Sequence, residues 1–261
     1  MKVGFLQFAP KLHDEQYNLD TISSMLSDYA ADLVVLPELC TSGYLFTSKD
    51  QMIALASPAE GRIPLFFKDL AHKEQLTIAA GFLESEGDKL YNSQIIASPD
   101  GKQIIYRKVH LFNDEKDYFQ PGNSGFKIFE LHKTTLGMMI CFDWIFPESA
   151  RTLAVMGADI ICHSANLVLP FCQKAMATRS IENGVFTITA NRVGSDKIGD
   201  ACLSFTGMSQ ITDPKGTVLI QAGNNEEIVK FVEINPEEAR NKYITDKNHL
   251  LDDRRKKFYK T

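Results

Sequence analysis

Hydrophobic residues in this chain follow two alternating patterns, which predict strands and helices in turn. Residues 3–8 are predicted to form a strand, and residues 33–36 are a continuous apolar run, the pattern of a buried strand. Between them, residues 18–30 carry apolar side chains at the spacing of an amphipathic helix. This β-α-β order predicts a sheet that is covered by helices.

The same alternation continues to about residue 220 and includes two hairpin signals. The turn sequences S-P-D-G at 98–101 and D-P-K-G at 213–216 predict antiparallel pairs, so the sheet is expected to be mixed. An Ala-Asp pair at 31–32 and another at 158–159 each lead from a helix into a strand, which indicates two similar halves. The remaining predicted strands are 77–84, 90–97, 102–106, 136–140, 160–163, 186–190 and 217–220, and the remaining predicted helices are 64–75, 147–156 and 173–183.

The composition is that of a globular protein with a large core. With 261 residues, 44% hydrophobic and 23% charged, we expect one domain over residues 1–261 with a charged C-terminal tail from about residue 241. The net charge of -5 argues against a nucleic-acid partner. No targeting segment and no run of about 18 apolar residues is present, so we expect a cytoplasmic protein without a membrane partner. Five cysteines without paired spacing argue against disulfides and a zinc site.

The stretch from Thr135 to Arg151 places a cysteine where a nucleophile is useful. Residues 136–140 predict a buried strand and Pro147 begins the next helix, so Cys141 lies at a strand end before a turn. Neighbouring backbone N–H groups can point there at an anion beside the sulfur. The position also suits a small buried hydrophobic residue, the commonest role of such a cysteine.

Two charged residues also follow predicted strands. Glu38 occurs in L-P-E at 36–38, and Lys108 occurs in Y-R-K-V-H-L-F at 106–112. Taken alone, the carboxylate fits a helix cap or a surface ion pair, the lysine fits a solvated side chain, and His110 fits a structural role. Together with Cys141 they suit thiol catalysis, because a protonated thiol requires a base and a tetrahedral intermediate requires positive charge.

With these motifs the chain resembles the nitrilase superfamily of carbon-nitrogen hydrolases. Three signature blocks match in order, L-P-E at 36–38, Y-R-K-V-H-L-F at 106–112 and C-F-D-W-I-F-P-E-S-A-R at 141–151, and the similarity extends to about residue 233. The resemblance implies a four-layer α-β-β-α sandwich with two mixed sheets. It also implies thioester catalysis without a metal or an organic cofactor, and a homodimer with the helix 147–156 as a candidate contact.

The resemblance further implies roles for individual residues. Cys141 would be the nucleophile and Glu38 the base that takes its proton. Lys108 and the backbone N–H of Phe142 would stabilise the negative charge that develops on the substrate. These assignments make Glu38, Lys108 and Cys141 the candidate catalytic triad.

A second glutamate and several binding residues complete the expected site. The sequence E-K-D-Y-F at 115–119 resembles the family's E-K-x-x-F segment, so Glu115 is the candidate for orienting Lys108 and the substrate, with Asp114 and Asp117 as alternatives. The candidate substrate-binding residues are Tyr44, Phe142, Trp144 and Asn166. For the large aromatic residues Tyr44 and Trp144, a place in the core or in a subunit contact is an equal alternative.

The sequence after the cysteine bears on the substrate. Family members that act on N-carbamoyl amino acids tend to place arginines there to hold a carboxylate, whereas this chain has D-W-I at 143–145. We therefore expect a small amide as substrate ahead of a small aliphatic nitrile, with an N-carbamoyl amine as a further alternative. Arg192 and Arg179 remain candidates for a clamp, although Arg179 also belongs to an R-x-x-E-N helix that is interpreted as structural support.

Two rival hypotheses remain open at this stage. His163 lies at the next strand end, so a Cys141–His163 dyad is an alternative, but it leaves the glutamate and lysine motifs unexplained. A catalytically silent binding protein of the same fold is the non-enzyme alternative. The presence of all three residue types of the triad argues against it.

Overall fold

The computed structural model describes residues 1–259, whose main feature is a pair of six-stranded mixed sheets. The first has the strand order β14 (Ile228–Glu233), β1 (Lys2–Gln7), β2 (Leu33–Val35), β3 (Thr77–Glu86), β4 (Lys89–Ala97), β5 (Gln103–Arg107). The second has the order β13 (Val218–Gln221), β12 (Gln210–Thr212), β9 (Phe186–Ala190), β8 (Ile160–Ser164), β7 (Thr134–Ile140), β6 (Ile128–Leu131). Strands β1, β2 and β3 are parallel, as are β7, β8 and β9, and each group has antiparallel neighbours.

Helices and two small hairpins complete the chain. The hairpins are β10 (Ser195–Ile198) with β11 (Ala201–Ser204) and β15 (Tyr243–Thr245) with β16 (Asn248–His249). The helices are α1 (Glu15–Leu26), α2 (Lys49–Leu55), α3 (Arg62–Glu74), α4 (Glu115–Tyr118), α5 (Pro147–Val155) and α6 (Cys172–Asn183). Short 3-10 turns cover Cys141–Ile145, Pro236–Ala239 and Lys256–Phe258. None of the helices within residues 1–259 combines the length and apolar composition that a bilayer crossing requires.

The two sheets face each other across the core, and helices cover their outer sides. Side chains alternate along a strand, so Phe5 of β1 joins the central cluster with Met138 of β7, while the next residue, Leu6, joins an outer cluster with Phe67 of α3. Helices α5 and α6 pack on the second sheet, where Leu153 contributes to the central cluster. The layers therefore form the α-β-β-α sandwich that the family resemblance implied.

Most predicted elements are present close to their expected bounds. Every predicted strand lies within two residues of its expected ends, and both predicted turns connect antiparallel strands. The prediction of a helix over 18–30 was wrong at both ends. The Asp14 side chain accepts a hydrogen bond from the Tyr17 N–H and starts the helix at Glu15, and the left-handed Asp28 follows its end at Leu26.

The C-terminal segment from residue 241 is folded onto the sandwich. Lys242 Nζ donates hydrogen bonds to the carbonyl oxygens of Asn183 at 3.0 Å and Gly184 at 2.8 Å, at the end of α6. Lysine at a helix C-terminus satisfies carbonyl groups that lack partners within the helix. The segment then forms the β15–β16 hairpin, which the sequence pattern did not predict.

Candidate active site

Cys141 lies where β7 ends and the 3-10 turn begins. Its φ of +37° is in the left-handed region. A residue with a side chain is strained there, by about 1–3 kcal/mol, and keeps this conformation only where its surroundings enforce it. The Asp143 carboxylate contributes, because it accepts hydrogen bonds from the Ile140 N–H at 3.0 Å and the Tyr106 hydroxyl at 2.7 Å. The turn therefore holds the thiol at the carboxyl edge of the second sheet.

The Lys108 ammonium lies between two carboxylates. Its Nζ is 2.6 Å from Glu38 Oε1 and 2.8 Å from Glu115 Oε1, and the side chains of Lys108 and Glu38 are fully buried. Burial by itself lowers the pKa of a lysine, but the two carboxylates outweigh it and raise the pKa of Lys108. The amine is therefore positively charged at neutral pH.

Glu115, the first residue of α4, is the acidic residue of the segment 114–117 that reaches this cluster. Its Oε1 also accepts a hydrogen bond from the Tyr44 hydroxyl at 2.9 Å, and its Oε2 accepts one from the Phe112 N–H at 2.8 Å. Glu115 is buried, whereas Asp114 and Asp117 are exposed. The geometry thus favours Glu115 over the two alternative aspartates.

Asn92 of β4 belongs to the same cluster, although no motif in the sequence predicts it. Its Nδ2 donates hydrogen bonds to Glu38 Oε1 at 2.7 Å and to Glu115 Oε1 at 3.1 Å. The side chain is fully buried. In the sequence Asn92 is one of three consecutive polar residues, N-S-Q at 92–94, in β4. The uncharged Asn92 amide therefore links Glu38 and Glu115 through hydrogen bonds.

Glu38 keeps one oxygen free of hydrogen bonds. Its Oε2 is buried and accepts a hydrogen bond from none of the described residues. Burial raises the pKa of Glu38 to about 7, although the Lys108 charge acts in the opposite direction. A carboxylate whose pKa lies near neutrality is suited to general base catalysis.

The Cys141 thiol is buried beside these charges. Its Sγ lies 3.9 Å from the Asn166 carbonyl oxygen. Burial raises the pKa of Cys141 well above its ordinary value, the Glu38 carboxylate raises it further, and Lys108 lowers it. The charges of Glu38 and Lys108 therefore act on the Cys141 thiol in opposite directions. The thiol is neutral at rest and needs a base to become a nucleophile.

Two adjoining cavities open near this cluster. The cavity at Cys141 is mainly apolar, and it is lined by Phe112, Cys141, Phe142, Trp144, Asn166, Leu167, Val168 and Leu169. The neighbouring cavity contains Tyr44 and Glu115 and shares Phe112, Asn166 and Val168 with the first. Three of the four predicted binding residues thus line the Cys141 cavity, and Tyr44 lines its neighbour.

The two arginines considered as carboxylate clamps are engaged elsewhere. Arg179 donates to the Trp144 carbonyl at 3.1 Å and to Glu182 at 2.9 Å, so it supports the turn that follows the cysteine. Arg192 is buried and forms a two-pronged ion pair with Asp196 at 2.8 and 2.9 Å. The structure therefore contradicts a clamp formed by either arginine.

His163 lies behind Cys141, but it does not face the sulfur as a dyad would require. Its Nε2 is 3.0 Å from the Cys141 carbonyl oxygen, and its Nδ1 is 3.2 Å from Thr189 Oγ1. The alternative of a Cys141–His163 dyad is therefore wrong, because the Cys141 carbonyl and the Thr189 hydroxyl occupy the two ring nitrogens.

The remaining cysteines form no comparable group. Burial raises the pKa of Cys40, Cys162 and Cys172, and Cys202 is exposed. Within residues 1–259, no group of three or more histidine, cysteine, aspartate or glutamate side chains is arranged to hold a metal ion. The contacts of Glu38 and Lys108, together with the buried Cys141, support the chemistry of a thiol with a carboxylate and an ammonium.

The chain is similar to known proteins over most or all of its length. The chain is 43% identical over 263 residues to a protein named nitrilase from Pyrococcus abyssi, with 99% of both chains covered. It is 32% identical to an (R)-stereoselective amidase from a Pseudomonas species, covering 87% of this chain and 82% of the amidase. Its fold matches the crystal structure of a carbon-nitrogen hydrolase from Helicobacter pylori G27 with a TM-score of 0.89 and 28% identity, covering 99% and 97% of the two chains.

The match to the family covers nearly the entire sandwich. Residues 2–242 match the sequence profile of carbon-nitrogen hydrolases, a range that contains Glu38, Lys108, Glu115 and Cys141. The chain therefore belongs to the carbon-nitrogen hydrolase family, the nitrilase superfamily.

Proposed function

We propose that this protein hydrolyses a small uncharged amide to a carboxylic acid and ammonia through a thioester on Cys141. The observation that carries the proposal is the state of Glu38. One oxygen of Glu38 is fixed by Lys108, and the other is buried and free of hydrogen bonds from the described residues. Such a carboxylate can accept a proton without first breaking an existing hydrogen bond.

The first half of the reaction forms the thioester. Glu38 takes the proton of the Cys141 thiol while the sulfur attacks the carbonyl carbon of the amide. An ammonium has three donors, and Lys108 uses two on Glu38 and Glu115, which leaves the third for the oxyanion. The Phe142 N–H is the second donor. The tetrahedral adduct then expels ammonia, which receives the proton held by Glu38.

The second half releases the acid. The ionised Glu38 carboxylate takes a proton from water as the water oxygen attacks the thioester carbon. The resulting oxyanion is stabilised by the same donors, Lys108 and the Phe142 N–H. Collapse of this adduct breaks the carbon–sulfur bond and yields the acid. The sulfur recovers the proton from Glu38, so the enzyme returns to its starting state.

The cavity linings support an uncharged acyl group. Phe112, Phe142 and Trp144 give the Cys141 cavity an apolar wall, and neither cavity lining contains a lysine or an arginine among the described residues. Asn166 is buried, and none of the described residues hydrogen-bonds its side-chain oxygen or nitrogen. A buried amide in this state is costly unless a ligand satisfies it. We therefore assign Asn166 to hydrogen bonding with the polar group of the substrate.

Nitrile hydrolysis is the second candidate, and it is favoured by the name of the relative from Pyrococcus abyssi, nitrilase. Attack of Cys141 on a nitrile carbon gives a thioimidate. Addition of water to the thioimidate and loss of ammonia give the same thioester as the amide route. The two activities therefore require the same side chains.

A screen of matched compounds tests the proposal. Ammonia release is measured with butyramide, butyronitrile and N-carbamoyl-β-alanine, and the Cys141→Ala variant serves as the control. We expect release from butyramide, and none from the N-carbamoyl compound because its carboxylate would meet no cation. Release from the N-carbamoyl compound alone would overturn the substrate assignment.

A labelling experiment separates an enzyme from a binding protein of the same fold. Iodoacetamide is reacted with the native protein and the modified cysteine is identified by peptide mapping. We expect Cys141 to be modified, with protection by butyramide. Labelling confined to Cys202, together with no turnover in the screen, would instead support the non-enzyme alternative.

We also propose that the protein forms a homodimer through α5 and α6. The two helices pack against each other, and large apolar side chains in the helices or at their ends are exposed. The exposed fractions are 49% for Val155, 40% for Met156, 59% for Phe171 and 52% for Ile181. Exposed large apolar side chains on neighbouring helices support a role of these helices in a protein interface.

A further inference from the structure

The buried His163 ring makes its two polar contacts directly behind the nucleophile. Its side chain is fully inaccessible to solvent. Nε2 lies 3.0 Å from the carbonyl oxygen of Cys141, and Nδ1 lies 3.2 Å from the hydroxyl of Thr189 on the adjacent strand. The reaction steps proposed above make no use of this ring. The role of these two buried hydrogen bonds is therefore not explained by the reaction steps alone.

These contacts fix the ring in one protonation state. A carbonyl oxygen only accepts hydrogen bonds, so Nε2 must carry a proton. Burial lowers the pKa of His163 to about 4, even though the Cys141 carbonyl acts in the opposite direction, so the ring is neutral near pH 7. Nδ1 is then an acceptor, and the Thr189 hydroxyl donates to it. The Nε2–H is thereby directed at Cys141.

The carbonyl that His163 contacts belongs to a peptide group with a free donor. The Cys141 carbonyl and the Phe142 N–H are the two ends of one peptide unit. None of the described residues accepts a hydrogen bond from the Phe142 N–H. A carbonyl that accepts a hydrogen bond polarises its peptide group, and this makes the N–H at the other end a better donor. The strained φ of +37° at Cys141 also means that this peptide needs an external restraint.

We propose that His163 is a positioning residue for the oxyanion: by donating to the Cys141 carbonyl, it orients and polarises the Cys141–Phe142 peptide so that the Phe142 N–H stabilises the tetrahedral adduct. The inference rests on the proposed hydrolytic function and adds a residue to it. Donors must be oriented before the reaction to be effective, and the ring supplies that restraint from inside the core. Thr189 acts one step further away by fixing the tautomer.

The test compares turnover with alkylation in the intact 261-residue chain. Hydrolysis of the amide or nitrile that the screen identifies passes through an oxyanion or a developing negative charge, whereas alkylation of Cys141 by iodoacetamide is a displacement at carbon that forms no oxyanion. We expect His163→Leu to reduce kcat by about 10- to 100-fold with little change in KM, because losing one oxyanion donor outright costs about 100- to 1,000-fold. The rate of Cys141 alkylation should stay within about twofold of the wild type. His163→Gln keeps an N–H near the position of Nε2 and should recover most of kcat.

A second pair of variants keeps the test independent of how well His163→Leu folds. Thr189→Val removes the hydroxyl that fixes the tautomer and should lower kcat severalfold, while Thr189→Ser should retain it. Unchanged kcat in folded His163→Leu, or in Thr189→Val if His163→Leu does not fold, would overturn the inference. A parallel loss of turnover and alkylation would do so too, because His163 would then act on the sulfur itself. Absence of turnover in the wild-type protein would instead refute the proposed function, and the inference with it.

Discussion

Lys108 Nζ lies 2.6 Å from Glu38 Oε1, and both side chains are completely shielded from solvent. Glu115 Oε1 is 2.8 Å from the same nitrogen. Two buried carboxylates around one buried ammonium form a cluster in which each charge depends on the others, because the loss of one leaves the rest uncompensated. The catalytic proposal and the stability of this part of the fold therefore depend on the same three residues.

Replacement of Lys108 by methionine is expected to abolish turnover and to destabilise the protein. The variant leaves Glu38 and Glu115 buried without a cation, a change that costs about 3–5 kcal/mol. Urea unfolding followed by circular dichroism measures the loss. Lys102→Met is the matched control, because Lys102 forms an exposed pair with Asp100 and such pairs contribute only about 0–1 kcal/mol. Equal stability of the two variants would contradict the account of the cluster.

The pH dependence of turnover is expected to follow Glu38. Its pKa is raised to about 7 by burial, and the base acts only when ionised. For the substrate that the screen identifies, kcat/KM should therefore rise with pH up to about 7 and level off above it. An activity that stays constant from pH 5 to pH 8 would show that Glu38 is not the base. Because Glu38 interacts with Lys108 and Glu115, the pH profile of the wild-type protein reports on the three groups together. Variants of single residues are therefore used to assign the change in activity to Glu38.

Asn92→Leu is expected to move this profile to higher pH. The Asn92 amide donates to Glu38 and favours its ionised form, so removing the donor should raise the apparent pKa by about one unit. The measurement is the pH profile of kcat/KM compared with the wild type. Asn224→Leu, at an exposed position, is the control and should leave the profile unchanged. A shift to lower pH for Asn92→Leu would contradict the proposed role.

The positions of the main site residues followed from the sequence because they come at the ends of recognisable strands. Glu38, Lys108 and Cys141 follow β2, β5 and β7, whose apolar runs are clear in the sequence. Strand ends at the same edge of two packed sheets lie close in space, so residues about 70 positions apart in the chain could be expected to meet. The family motifs then supplied Glu115.

Other parts of the site depend on packing that a linear pattern does not record. Asn92 is one of three consecutive polar residues in β4, and its importance comes from two glutamates that approach from other segments. The strain at Cys141 and the contact of His163 with its carbonyl depend on a turn geometry that the sequence does not specify. The ion pair between Arg192 and Asp196 likewise follows from the fold and could not be predicted from the sequence.

The proposed dimer predicts an effect of charge on the surface of α5. Val155→Glu places a carboxylate in an apolar contact, so we expect this variant to be monomeric at micromolar concentration while the wild type is dimeric. Light scattering coupled to size-exclusion chromatography measures the mass of each. Ile53→Glu, on the exposed side of α2, is the matched control and should remain dimeric. A monomeric wild type would refute the proposal.

The central claim, that Cys141 carries the acyl group during turnover, is tested most directly by rapid-quench mass spectrometry. The protein is mixed with the amide or nitrile that the screen identifies, quenched in acid within milliseconds and digested, and the mass of each cysteine peptide is determined. The account predicts an acyl adduct on the peptide that contains Cys141, which hydroxylamine removes as expected for a thioester. An acyl group on any other residue would contradict it.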